Sequence, residues 1–336
     1  MIEAGSGQTA TLLLDGRVLV VGGGSNSNIS MAFAELYDPS SESWVATGDA
    51  DEARGGHTAT LLLDGTVLVA GGTDGTELLS STERYDPITG IWTATGSLLT
   101  PRQAHTAALL SDGKVLVAGG SGSTSDLTLA ELYDPRTGIW TATGNMVTPR
   151  QGATATLLDD GAVLVAGGCC GGSSGAIASA ELYDPASRTW TVTGEMFGER
   201  TGHTATLLLD GTVLVAGGGT GTNLLGFAEV YDPARGSWAA TGNMYEARSA
   251  GLTATLLSSG KVLVAGGGGA SSSGWLASAE LYDPDSHSWT TAGNMIEIRA
   301  HHTATLLSGG KVLVAGGFGG SGLVSAELYD PGSGAR

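Results

Sequence analysis

Two cysteines in 336 residues, adjacent at Cys169 and Cys170, leave no way for disulfides to staple distant segments together. Basic residues are scarce too: 15 Lys and Arg stand against 33 Asp and Glu, a formal charge of −18. Such a surface repels phosphate backbones and anionic bilayers, so neither nucleic acid nor membrane is expected as a partner. No apolar run approaches the roughly 20 residues of a membrane-spanning helix. The first residues, Met1-Ile2-Glu3-Ala4-Gly5, lack the basic start and apolar stretch of a secretory leader. With only 9 prolines and no strict triplet, the abundance of glycine is not that of collagen.

What is present is glycine, 56 residues, and enough apolar material at 41% to build a core. The glycines keep a period. A Gly-Gly doublet ends an apolar run at Gly22, Gly71, Gly119, Gly167, Gly217, Gly266 and Gly316, with spacings of 48 to 50 residues. A Tyr-Asp-Pro triplet follows each doublet, beginning at Tyr37, Tyr85, Tyr133, Tyr183, Tyr231, Tyr282 and Tyr329. A tryptophan follows six of these: Trp44, Trp92, Trp140, Trp190, Trp238 and Trp289. Self-similarity at such a period indicates stacked repeats rather than the two domains that length alone suggests.

Residues 105–144 show one unit. His105 to Leu110 is a first run, Ser111-Asp112-Gly113 a turn, and Lys114 to Ala118 a second run. Asp-Gly between apolar runs signals a hairpin, for which a type I′ turn is expected. Val115 to Ala118 is apolar on both faces and too short for a helix, so it reads as a strand buried on both sides. Leu129 to Tyr133 is a third run that ends at the turn opener Asp134-Pro135, and Ile139 to Thr143 alternates as a half-exposed fourth strand does. The first two strands are expected to be buried on both faces near the centre, and the fourth to lie outside. Seven units of four antiparallel strands stacked around an axis make an all-β, seven-bladed β-propeller, one domain over 1–336. The blades span approximately 8–48, 57–96, 105–144, 153–194, 203–242, 252–293 and 302–331.

Gly-Gly, Tyr-Asp-Pro, Trp and then an Arg shortly before the next first strand, at about 50 residues, resembles the kelch repeat. The phrase from His57 to Gly72 is similar to the propeller portion of galactose-oxidase-like and bacterial kelch proteins. The resemblance implies that the first strand lines a central channel, and that loops entering a blade share one face with loops after the Gly-Gly doublet. It also implies a secreted or cell-surface setting.

The chain starts just before a first strand and stops after a third, so the last blade is expected to lack its tryptophan-bearing outer strand. Either the sequence is a piece of a longer polypeptide or the propeller tolerates a three-stranded blade. In both cases Ser325 to Tyr329 is an open edge, suited to pairing with another chain.

The residues with chemical potential mostly repeat, and repetition argues for structure. Arg54, Arg102, Arg150, Arg200, Arg248 and Arg299 precede first strands, with Gly5 in blade 1. Glu35, Glu83, Glu131, Glu181, Glu229, Glu280 and Glu327 stand two before each tyrosine, so buried Arg–Glu pairs are expected more than an anion-gripping ring. His57, His105, His203 and His302 share one repeat position, filled elsewhere by Gln8, Ala153 and Leu252; spread around a ring, they do not converge on a metal. Nor are His301 and His302 expected to share one, since neighbouring side chains on a strand point oppositely. Gly171-Gly172-Ser173-Ser174-Gly175 matches Gly-x-Ser-x-Gly without the helix a nucleophile elbow requires. Gly22 to Ser25 likewise lacks the helix start that would hold a phosphate. Cys169-Cys170 reads as two thiols in a loop. No catalytic residue, metal site or cofactor is expected.

Departures from the repeat are more informative. Trp275, Phe318, Tyr245 and Phe197 lie in loops of one face, beside Arg248 and Arg299, and are the candidate contacts for a sugar or a peptide. The expected function is a non-catalytic binding scaffold for protein or carbohydrate, using the variable loops 24–34, 73–82, 121–130, 169–180, 219–228, 268–279 and 318–326. The alternatives are a carbohydrate-active enzyme and a purely structural repeat module, natural or engineered. The copper site that the galactose-oxidase resemblance implies needs two histidines and two tyrosines, one cross-linked to cysteine. Here every tyrosine but Tyr245 is a repeat residue, and that set cannot be assembled.

Overall fold

The computed structural model describes every residue except 4, 25–29, 171–174, 222, 271–273, 333 and 336, with Gly334 and Ala335 described by their backbone alone. In blade 3 the strands are Thr106–Leu109, Val115–Ala118, Ala130–Asp134 and Ile139–Ala142, hydrogen-bonded in sequence order and antiparallel throughout. Pairing sets Val115 against Leu109 and Tyr133 against Trp140. The same meander repeats in all seven blades, and the described residues contain no helix. Successive first strands neighbour one another around the ring, and that of blade 1 meets that of blade 7.

Burial follows radial position. Every second strand, such as Val18–Val21 or Val163–Ala166, is buried on both faces. Its side chains divide between neighbours: Leu19 and Val21 pack with Val67 and Val69 of blade 2, while Val18 and Val20 face Leu313 and Ala315 of blade 7. Seven apolar layers result, one per blade interface. The first strands are less buried than the sequence suggests, Thr9–Leu12 being half-buried along its length. They form the innermost edge of each blade, with no further strand of their own sheet to cover them.

The hairpin turn also differs from expectation. Gly113 lies at φ 84°, but Asp112 does not share the left-handed region. Gly113 N–H donates to the Leu110 carbonyl at 2.9 Å and Leu110 N–H to the Lys114 carbonyl at 2.8 Å, which closes a three-residue loop. This is a type I turn followed by a glycine bulge, and the Asp112 carboxylate caps it by accepting from the Lys114 N–H at 3.0 Å.

The glycine doublets join blades. Gly71 and Gly72 take φ 60° and 97°. Gly72 N–H then donates to the Arg102 carbonyl of the next blade at 2.8 Å, and the same bond recurs from Gly23 to Arg54 and from Gly168 to Arg200. The last doublet closes the ring: Gly317 N–H donates to the Gly5 carbonyl at 2.8 Å. Blade 7 ends in a two-residue fourth strand, Gly334–Ala335, paired with Asp330 and Tyr329, and among the described residues no strand pairs with the outer side of Ala326 to Leu328.

A Cβ on Gly72 would lie 2.7 Å from the Gly55 carbonyl oxygen, in a backbone conformation that L residues avoid. Gly72→Ala is therefore expected to cost about 2–4 kcal/mol in urea unfolding. Gly274→Ala, at φ 76° with open space around it, is expected to cost only about 1 kcal/mol. Equal losses would remove the close approach as the cause.

Candidate binding face

Each repeated arginine is buried inside the blade it introduces. Arg102 Nη2 meets Glu131 Oε1 at 2.6 Å, and its Nη1 donates to the Gly119 and Leu129 carbonyls. Glu131 in turn accepts the N–H groups of Leu99 and Thr100 in the loop entering the blade. One ion pair thus fixes the glycine turn, the third strand and the incoming loop together. A buried pair is worth keeping only when its remaining donors and acceptors are satisfied in this way. Arg248 and Arg299 belong to this set, paired with Glu280 at 2.8 Å and Glu327 at 2.6 Å and fully buried. They are corrected from candidate ligand contacts to internal fasteners, because both side chains are wholly buried, with their Nη atoms spent on glutamate and backbone carbonyls and their Nε enclosed without a partner among the described residues. Blade 1, with Gly5 in place of arginine, brings buried Phe33 against that glycine, and Glu35 still accepts the Ile2 and Glu3 N–H groups as Glu131 does those of Leu99 and Thr100.

The histidines tie first strands together. His57, His105, His203 and His302 set Nε2 at 2.9–3.1 Å from the hydroxyls of Thr9, Thr58, Thr154 and Thr253 in the preceding blade. Their Nδ1 atoms face no partner among the described residues. The tautomer protonated on Nε2 therefore fits best, since it leaves a lone pair, not an N–H, without a bond. Burial, reinforced by the neighbouring arginine, depresses His57 to about 4 and the other three to about 3. His301 is exposed and adopts φ 53°, so it does not share a site with His302.

Two sets of loops are zipped together on one face. The residue after each doublet pairs with the loop entering the same blade, as in Gly55 with Thr73, Gln103 with Ser121 and Ala300 with Phe318. Trp275 bridges to Gly268 in blade 6, and its ring meets Phe318 of blade 7 edge-on at 5.7 Å. Both rings are half-buried, close to the start of an innermost strand. Phe197 and Tyr245 are 71% and 70% exposed, each in the loop entering its own blade with its N–H donated to Glu229 or Glu280.

Their repeat position holds a feature the sequence reading missed. Ile2, Leu99, Val147 and Ile296 stand at the same place and are as exposed as Phe197 and Tyr245, so six of seven blades present an apolar side chain there. The signal was available: each follows a buried or half-buried apolar residue such as Met146 or Met295, yet two adjacent apolar residues in a loop do not announce which points outward. Cys169 and Cys170 are not joined in a disulfide; the Cys169 backbone pairs with Gln151 in both directions. Of the Gly-x-Ser-x-Gly match, 171–174 lie outside the described residues, as does Ser25 of the glycine-rich stretch.

The kelch motif model matches residues 54–99, 104–147, 153–196 and 253–296, just over half of the chain. The chain belongs to the kelch-repeat family. Among solved structures, a fungal alcohol oxidase of the AA5 family in complex with copper superposes on this kelch propeller with a TM-score of 0.78 at 21% identity, covering 94% of this chain and 70% of that one. The structure of YjhT superposes with a TM-score of 0.67 at 17% identity, covering 84% and 96%. At these identities the likeness shows the fold. Among curated proteins, no sequence match is found.

A copper centre of the galactose-oxidase kind does not fit the donors present. The four channel-side histidines stand in different blades and bind threonines, while Tyr85, Tyr133, Tyr183, Tyr231 and Tyr282 are buried with their hydroxyls on threonines. Among the described residues no three His, Cys, Asp or Glu side chains converge as a metal site.

The depressed histidines make stability depend on pH with a definite sign. Each folded-state value lies below the ordinary 6.5, so the unfolded chain takes up a proton that the native state refuses. Stability is full above pH 6.5 and falls as pH drops towards 4, by about 2 kcal/mol per histidine at pH 5. Replacing His57, His105, His203 and His302 by Gln, the residue blade 1 carries at this position, is expected to flatten the decline in melting temperature between pH 7 and 5. An unchanged slope would assign the effect to other groups.

Proposed function

We propose that this kelch propeller is a non-catalytic binding scaffold whose variable-loop face takes a protein or carbohydrate ligand. The observation that carries this reading is how the polar side chains are spent. The repeated arginines, glutamates, histidines and tyrosines are engaged within and between blades. Among the polar residues exposed in these loops, such as Glu77 and Ser123 to Ser125, the face also presents apolar and aromatic side chains: half-buried Trp275 with Phe318, and exposed Ile2, Leu99, Val147, Phe197, Tyr245 and Ile296. Aromatic rings with few rotatable bonds are effective contacts for sugar faces and for peptide side chains alike. Loop residues on a rigid frame are free to vary without disturbing the inter-blade knots.

The second reading, a carbohydrate-active enzyme, is favoured by the likeness to an alcohol oxidase, but that likeness extends to the fold alone. Trp275→Ala is the discriminating variant. In a glycan array and a pull-down, it is expected to weaken binding by about ten-fold, the order of one hot-spot aromatic, while melting with the parent. Binding unaffected by the substitution would take the contact face away from these loops, and peroxide release with copper bound would replace the scaffold reading by the oxidase.

A further inference from the structure

Charge divides between the two ends of the blades. The loops entering each blade and those after each Gly-Gly doublet hold eleven Asp and Glu and no lysine. Their only arginines are the six repeated ones, all buried in Arg–Glu pairs, so no cationic side chain reaches the surface there. Every other Lys and Arg among the described residues lies towards the opposite end, in or beside the turns joining first to second and third to fourth strands. There Arg17 pairs with Asp15, Lys114 with Asp112 and Lys261 with Asp283. The turn end is a mixed surface, whereas the exposed side chains of the loop face carry one sign of charge.

Exposed rings and carboxylates coincide in two neighbouring entry loops. Phe197 leads into blade 5 and Tyr245 into blade 6, both largely exposed, at a position where the other blades carry an aliphatic residue or Asp51. Glu195 and Glu199 flank Phe197, and Glu246 follows Tyr245; all three are exposed. The backbone beneath the rings is held in place. Phe197 N–H donates to Glu229 Oε2 at 2.6 Å and Tyr245 N–H to Glu280 Oε2 at 2.7 Å. Between the two entry loops runs the loop after Gly217-Gly218, bridged to one through Gly219 and Thr201. It is tied to the other where Met244 N–H donates to the Gly226 carbonyl at 2.7 Å, and it exposes Leu224. Phe197, Leu224 and Tyr245 thus form a fixed apolar strip bordered by carboxylates.

We propose that this strip docks a segment of a partner polypeptide rich in lysine and arginine. The proposal rests on the loop-face reading and names its partner. Aromatic faces attract ammonium and guanidinium groups, and the alkyl stems of Lys and Arg cover apolar surface. Glu195, Glu199 and Glu246 stand beside the rings to pair with the same cations, and the one-signed face draws a basic chain in from a distance. A strip whose backbone is already fixed loses little freedom on binding. Anionic partners are repelled by these carboxylates and a neutral glycan gains nothing from them. A basic segment uses both the rings and the charge.

The test titrates the whole chain into a labelled peptide in which Lys and Arg alternate with Leu and Gly, read by fluorescence anisotropy. Saturable binding with a Kd on the order of micromolar is expected, weakening about ten-fold between about 50 and 300 mM salt. The same peptide with Gln for every Lys and Arg is expected to bind at least about ten-fold more weakly. Phe197→Ala with Tyr245→Ala is expected to cost about five- to ten-fold, and so is the set Glu195→Gln, Glu199→Gln and Glu246→Gln. Glu42→Gln, Asp159→Asn and Asp285→Asn together remove the same charge from the turn end and are expected to change binding less than about two-fold. No saturation at about 1 mM, equal binding of the Gln peptide, or equal losses from the two charge-removing sets would each overturn the proposal. Trp275→Ala separates the two levels of failure. If the peptide does not bind while the chain captures a glycan that Trp275→Ala loses, the loop face stands and this partner falls. If neither binds, both fall.

Discussion

The bond on which the molecule depends is the one from the second glycine of each doublet to the backbone carbonyl before the next blade's first strand. It requires two consecutive residues at positive φ, which only glycine adopts without strain, and it places one sheet's turn against its neighbour's entry loop. The buried Arg–Glu pair then braces both partners, since the arginine holds the first glycine's carbonyl while its glutamate holds the loop N–H groups. Apolar burial supplies most of the favourable energy, but it is non-directional. These polar knots set the angle at which each blade meets the next.

That division of labour explains why so little polar chemistry remains. A group that recurs from blade to blade is available to many interfaces, and in this propeller the interfaces use it. Arginine, histidine and tyrosine, the residues that often carry catalysis, are here buried and matched to glutamate, threonine and backbone carbonyls. The proposed binding role rests on residues that break the repeat, such as Trp275 and Phe318, and on the exposed position in the entry loops, which is Ile, Leu, Val, Phe or Tyr in six blades and Asp51 in the other.

The ring closes without a covalent or shared-strand clasp among the described residues. Gly317 bonds to Gly5, Gly7 N–H to the His301 carbonyl, and Gln8 Nε2 to the Ala315 carbonyl, so the seventh interface reuses most of the parts of the other six. At this interface Tyr37 and Trp44 pack on each other at 5.1 Å, as the Tyr–Trp pairs of blades 2 to 6 do.

The repeat, the strand boundaries and the propeller class were legible in the sequence. Period, glycine doublets and Tyr-Asp-Pro are local patterns, and a short-range pattern copied seven times admits few packings. The pairing of each arginine with a glutamate some 30 residues on was also legible, because both recur at one phase of the repeat. Other features depended on the assembled ring. Asp-Gly was read as a type I′ turn, but the loop takes in a third residue, Ser111, and closes as a type I turn with a glycine bulge. The first strands became half-buried only because they form the innermost edge, and Arg248 and Arg299 are no ligand contacts because the fold turned them inward. Sequence determines what each residue type can do at each phase of a repeat; which way a side chain faces, and which partner across an interface it finds, is decided by how the blades meet.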